Sequence, residues 1–133
     1  MNHALHFGLL RALASAGVRF VVYGGAGLAL HTGDRARTLP DSDVLLAPGE
    51  VGAFIAWATA RGEVTVWGEP WHPALPLAGK LYVRARIDGL VLDAVFEEPE
   101  YDAARLVREA VWISGIPVCP EGPLRAMRAR PRT

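Results

Sequence analysis

Apolar positions recur first at helical spacing and then at strand spacing, and the order of the two outlines the fold. Leu5, Leu9, Leu10, Leu13 and Ala14 fall three and four apart and Gly17 follows as a stop, so residues 3–16 are expected to form an amphipathic helix. Residues 18–23 (Val-Arg-Phe-Val-Val-Tyr) are rich in β-formers and run into Gly24-Gly25, a buried strand entering a tight turn. Residues 26–31 resume helical spacing up to Gly33, and 34–40 form a polar loop closed by Pro40. Residues 41–47 read as a second strand with acidic first residues. Residues 50–61 place Val51, Phe54, Ile55 and Ala58 on one helical face, and Glu63–Trp67 is a short strand.

The second half reads as hairpins. Residues 68–79 carry Pro70, Pro73 and Pro76 and are expected to be a loop. The β-patterned runs 80–87 and 90–96 flank Asp88-Gly89, a strong two-residue hairpin signal. That turn sets Ile87 opposite Leu90, Arg86 opposite Val91, Ala85 opposite Leu92 and Arg84 opposite Asp93. One face of the hairpin (Leu81, Val83, Ala85, Ile87, Leu90, Leu92, Ala94, Phe96) is apolar and belongs in the core. The other carries Tyr82, Arg84, Arg86, Val91, Asp93 and Val95. Residues 103–109 are expected to be helical. Residues 111–114 and 116–118 form a small β pair about Gly115, with Pro117 confining the second piece to a sheet edge. Residues 123–129 form a last helix with proline in its first turn. One αβ crossover among antiparallel hairpins makes the class α+β, with a mixed sheet flanked by helices. At 133 residues without repeat or linker, a single domain over 1–133 is expected.

Composition narrows the function classes. Fourteen basic residues balance fourteen acidic ones, so charge makes no case for a nucleic-acid or membrane surface. The one cysteine, Cys119, excludes an internal disulfide and the common zinc-knuckle spacings, and is most simply a small apolar residue. The most apolar early stretch, 18–30, is shorter than the ~20 residues that span hydrocarbon, and no export signal stands before it, so a soluble cytoplasmic protein without a membrane partner is expected. Arginine outnumbers lysine thirteen to one, a compositional bias, so an individual arginine needs more than its presence to count as functional. Arg125, Arg128, Arg130 and Arg132 are expected to be a solvated basic tail, and His31 and His72 to be packing or loop residues.

The chemistry lies in the acids and the glycines. Asp41 and Asp43 are two apart, which on a strand points both to one face, and paired carboxylates call for a proton or a divalent cation. Taken alone, the pair also fits a loop end after Pro40. Asp93 stands beside Arg84, where the simplest reading is a surface ion pair of little energetic worth. Gly24-Gly25, following an apolar strand and opening a helix, offers the close backbone approach and free N–H groups that a phosphate needs. A dinucleotide fingerprint starting at Gly25 fails, because Leu30 takes the place of its third glycine and Asp43 opens the second strand when it should close it.

In this order the features resemble the nucleotidyltransferase superfamily related to DNA polymerase β, closest to its minimal and toxin-type bacterial members. The resemblance rests on Phe20-Val21-Val22-Tyr23-Gly24-Gly25, the loop Arg35-Ala36-Arg37-Thr38-Leu39-Pro40, then Asp41-Ser42-Asp43, and Asp93 within Val91-Leu92-Asp93-Ala94-Val95. Ser42 stands where the family usually has an apolar residue. The resemblance implies a nucleotidyltransferase-like sheet and transfer of a nucleoside monophosphate from a nucleoside triphosphate such as ATP to a hydroxyl of a protein, RNA or small molecule. It implies Mg2+ or Mn2+ on Asp41, Asp43 and Asp93, with Asp93 also activating the hydroxyl. Gly24 and Gly25 would seat the triphosphate, with Arg37, Thr38 and Arg84 as further nucleotide-binding candidates. Larger relatives continue past Leu124-Arg125-Ala126-Met127 with helices that bind the acceptor, so a helical partner chain is a further expectation. The alternative is a catalytically weak nucleotide-binding or interaction module, as in a toxin–antitoxin pair.

Overall fold

Alternation in the central strands decides which layer each residue serves, and both layers are covered. The computed structural model describes residues 2–67, 81–96 and 100–129. In chain order the elements are α1 (His3–Ser15), β1 (Phe20–Tyr23), α2 (Gly24–Thr32), β2 (Ser42–Leu46), α3 (Val51–Thr59), β3 (Glu63–Trp67), β4 (Tyr82–Ile87), β5 (Leu90–Val95), α4 (Ala103–Arg108), β6 (Val111–Ile113), β7 (Ile116–Val118) and α5 (Glu121–Ala129). The strands form one sheet in the order β3-β4-β5-β2-β1-β7-β6, with β2 antiparallel to β1 and parallel to β5, so the class is α+β with a mixed sheet. The proline loop with His72 lies outside the described residues, as do Arg130 and Arg132.

Phe20, Val22, Val44, Leu46, Val83, Ala85, Leu92 and Ala94 face one way and pack with Phe7, Leu10 and Leu13 of α1, Ala26 and Leu30 of α2, and Phe54 and Trp57 of α3. Val21, Leu45, Tyr82 and Val95 face the other way and meet Ala103 and Leu106 of α4 and Leu124 of α5. The β4–β5 register is the expected one, from Ile87↔Leu90 to Arg84↔Asp93, and Asp88 and Gly89 adopt φ of 51° and 78° as a type I′ turn demands.

Three features differ from the sequence reading. The second face of the hairpin is not a solvent face at its Tyr82–Val95 end, because α4 and α5 cover it; Asp93 is only 1% exposed. α2 begins two residues before the 26–31 run, with Gly24 and Gly25, expected to open the helix, in its first turn after Tyr23 in extended conformation. Pro117 is not on an edge, since β7 lies between β1 and β6. The proline is tolerated because pairing with β1 is confined to Val22↔Val118, with the Cys119 N–H donating to the Val22 carbonyl at 2.9 Å, both beyond the residue that has no N–H to give.

Candidate functional site

The register of two parallel strands brings the acids together. Asp43 on β2 lies opposite Asp93 on β5, and on its other side opposite Tyr23 of β1. Asp41 stands one residue before β2. One oxygen from each of Asp41, Asp43 and Asp93 can be chosen so that all three lie within 4.8 Å of one another. Asp93 is buried and the other two are half-buried. By strand alternation Asp43 and Asp93 face the α4–α5 side, while Ser42 between the first two acids faces α1.

Three carboxylates at this spacing raise each other's free energy, and a guanidinium offsets part of it. Arg84 Nε donates to Asp93 Oδ1 at 2.8 Å and Arg84 Nη2 donates to Asp93 Oδ2 at 2.9 Å, a bidentate pair. The hydrogen bond to Asp93 holds the Arg84 proton more firmly than usual, and the charge of Asp41 adds to the effect. The guanidinium also lies over the Tyr82 ring, 5.9 Å from its centroid, and burial pushes the Tyr82 hydroxyl pKa up. The Arg84–Asp93 contact is thus an enclosed fork and not a surface pair.

Gly24 is fitted to Asp43. Its φ is +66°, and a Cβ built on it would lie 2.6 Å from Asp43 Oδ2, so the carboxylate rests where any other residue would carry its side chain. Asp43 therefore sits against the first turn of α2, whose leading N–H groups lack helical partners and carry partial positive charge. Gly25 is less constrained: its nearest foreign atom is Leu39 Cδ2 at 3.9 Å. Arg37 and Thr38 lie exposed in the loop ahead of Asp41.

No protein-family model matches the chain, and no curated protein does. Among solved structures it is similar to ANT(2″)-Ia in complex with adenylyl-2″-tobramycin, at 19% identity and a TM-score of 0.47, over 89% of this chain and 67% of that one. It is also similar to an antigenic nucleotidyltransferase-like protein from Paracoccidioides brasiliensis, at 17% identity and a TM-score of 0.47, over 87% of this chain and 58% of that one. The described residues form an α+β fold with a mixed sheet. Its order of helix, strand, glycine pair, helix, acid-bearing strand and third-acid strand is the one the sequence resemblance implies.

Sequence reasoning missed the support beneath the acids. His6, buried on α1, has Nδ1 2.7 Å from the Ser42 hydroxyl, and burial lowers its pKa. Asn2 bonds both backbone groups of Leu39. The signals were a histidine on the apolar stripe of α1 and a serine at an inward position of an apolar strand. His31 has a packing role, with Nε2 2.8 Å from the Cys119 carbonyl oxygen. Burial pushes the Cys119 thiol up to about 11, which makes it an inert filler.

Proposed function

We propose that the chain is a divalent-metal-dependent nucleotidyltransferase that moves a nucleoside monophosphate from a nucleoside triphosphate to a hydroxyl acceptor. The meeting of Asp41, Asp43 and Asp93 beside the glycine start of α2 carries this reading. The donor set fits Mg2+ or Mn2+: all three ligands are hard oxygens, and opposite ligands of Mg2+ stand about 4.2 Å apart, close to the observed spread. Arg84 already occupies Asp93 as a cation would, and each Asp93 oxygen retains a second lone pair.

Bound divalent cations supply charge neutralisation at the phosphates and favour ionisation of the acceptor hydroxyl. The chain's own residues do the rest. Asp41, Asp43 and Asp93 would hold the cations. As the acceptor oxygen bonds to the α-phosphorus and pyrophosphate leaves, Asp93 takes the hydroxyl proton. The first-turn N–H groups at Gly24 and Gly25 seat the triphosphate, with Arg37, Thr38 and Arg84 as neighbouring cationic and polar contacts. The bidentate hold of Arg84 on Asp93 favours a second reading, a nucleotide-binding module with little turnover that works with a partner chain.

Titration calorimetry with each nucleoside triphosphate in Mg2+, in Mn2+ and in EDTA tests the shared part of both readings. Labelled-nucleotide transfer to RNA, protein and small-molecule fractions separates them. Metal-dependent binding with transfer is expected, and Asp93→Asn should lower transfer at least ~10²-fold while binding persists. Binding without transfer assigns the second reading. Equal affinity in EDTA and Mg2+ overturns both.

A further inference from the structure

Asp41 is the acid that no ladder fixes. Asp43 and Asp93 are held by the β2–β5 register, but the pairs begin at Ser42, and Asp41 stands just outside them after Pro40. The chain on either side of it is tied instead to α1. Asn2 occupies the N-cap position of α1, where asparagine ordinarily bonds its own helix, yet it makes no such capping bond. Its Nδ2 donates to the Leu39 carbonyl at 2.7 Å and its Oδ1 accepts from the Leu39 N–H at 2.9 Å, closing both backbone groups of one residue 37 positions away.

One turn further along α1, His6 is 1% exposed and its Nδ1 lies 2.7 Å from the Ser42 hydroxyl. Residues 39 and 42 are thereby pinned on both sides of Pro40-Asp41, and the proline ring removes most of the φ freedom between them. An apolar pair at positions 6 and 42 would fill the same space without fixing direction, whereas a buried hydrogen bond specifies one arrangement.

We infer that Asn2 and His6 are positioning residues that set Asp41 for the divalent cation, an inference that rests on reading the three acids as metal ligands. The full chain, free of nucleotide, is titrated with Mn2+ and the free ion is followed by electron paramagnetic resonance; thermal unfolding is recorded in EDTA. Asn2→Ala and Ser42→Ala each remove one arm of the clamp, Asp41→Asn sets the floor, and Phe54→Leu on α3 lowers stability away from the clamp. The two clamp variants should bind Mn2+ about five- to twentyfold more weakly than the parent, approaching Asp41→Asn, while Phe54→Leu binds as the parent does. If Ser42→Ala does not fold, Asn2→Ala decides, since its helix loses no capping bond. Parental affinity in the clamp variants, or an equal loss in Phe54→Leu, overturns the clamp and leaves the metal reading standing. A parent chain that binds Mn2+ no better than Asp41→Asn overturns the metal reading and the clamp with it.

Discussion

At the scale of single residues the two adjacent glycines have different duties, and substitution should separate them. Gly24 holds a left-handed conformation with Asp43 Oδ2 in the space of its missing side chain. Gly24→Ala must therefore bear the ~1–2 kcal/mol of a left-handed L-residue and also push Asp43 aside. Gly25 has ordinary room and no positive φ, so Gly25→Ala should leave stability unchanged or raise it by up to ~1 kcal/mol in the helix. Urea unfolding and Mn2+ titration should show Gly24→Ala losing both stability and metal affinity. Gly25→Ala should keep both and, on the proposed seating of the triphosphate at the start of α2, weaken nucleoside triphosphate binding by adding a methyl to that seat. Unchanged triphosphate affinity in Gly25→Ala would place the phosphate elsewhere.

At the scale of elements, legibility in the sequence followed the range of the contact. The β4–β5 register and the Arg84–Asp93 pairing followed from the Asp88-Gly89 turn, because a two-residue loop leaves one register. The burial of Asp93 did not, because Asp43 of β2, which lies opposite it, is some fifty residues away in the chain and meets it only in the folded sheet. The place of β7 was equally hidden, since three residues with a proline carry no signal of a single-pair parallel bridge. The α1–β2 contact is long-range too, and it makes a pH prediction. His6 is buried and its pKa lies below 6.5, through desolvation first and the neighbouring His3 in addition, against a backbone bond to Leu39 that opposes them. The unfolded chain then binds the proton more readily than the folded one, so stability is complete above about pH 6.5 and is lost as pH falls from there toward the folded pKa. Urea midpoints between pH 7.5 and 5.5 should fall for the parent and fall less for His6→Gln. Parallel slopes would show that another group titrates.

At the scale of the whole molecule, the fold holds an electrostatic cost at the point where two layers of core meet the sheet. Asp41, Asp43 and Asp93 crowd together, with Arg84 committed to Asp93. The acids are plain in the sequence, and strand spacing predicts a common face for Asp41 and Asp43; that Asp93 joins them depends on β5 lying parallel and adjacent to β2, a pairing between strands some fifty residues apart. A site of this kind should trade stability for cation binding. In EDTA, Asp43→Asn removes one like charge while keeping a polar side chain of the same shape; relief of the repulsion should outweigh the weaker contact with the first turn of α2 and stabilise the protein by about 1 kcal/mol, or about 3–5 °C in Tm. Asp93→Asn should act in the opposite direction, because it leaves the Arg84 fork without its charged partner, at a cost of about 2 kcal/mol. Saturating Mg2+ should then reverse the order of the parent and Asp43→Asn. The parent gains about 2.7 kcal/mol when the cation stands at one hundred times its Kd, and the variant, having lost a ligand, gains little. Thermal unfolding of the three proteins in EDTA and in Mg2+ provides the comparison. If Asp43→Asn is less stable than the parent in EDTA, the acids are held by hydrogen bonds that outweigh their repulsion; if Mg2+ moves all three equally, the ion binds elsewhere.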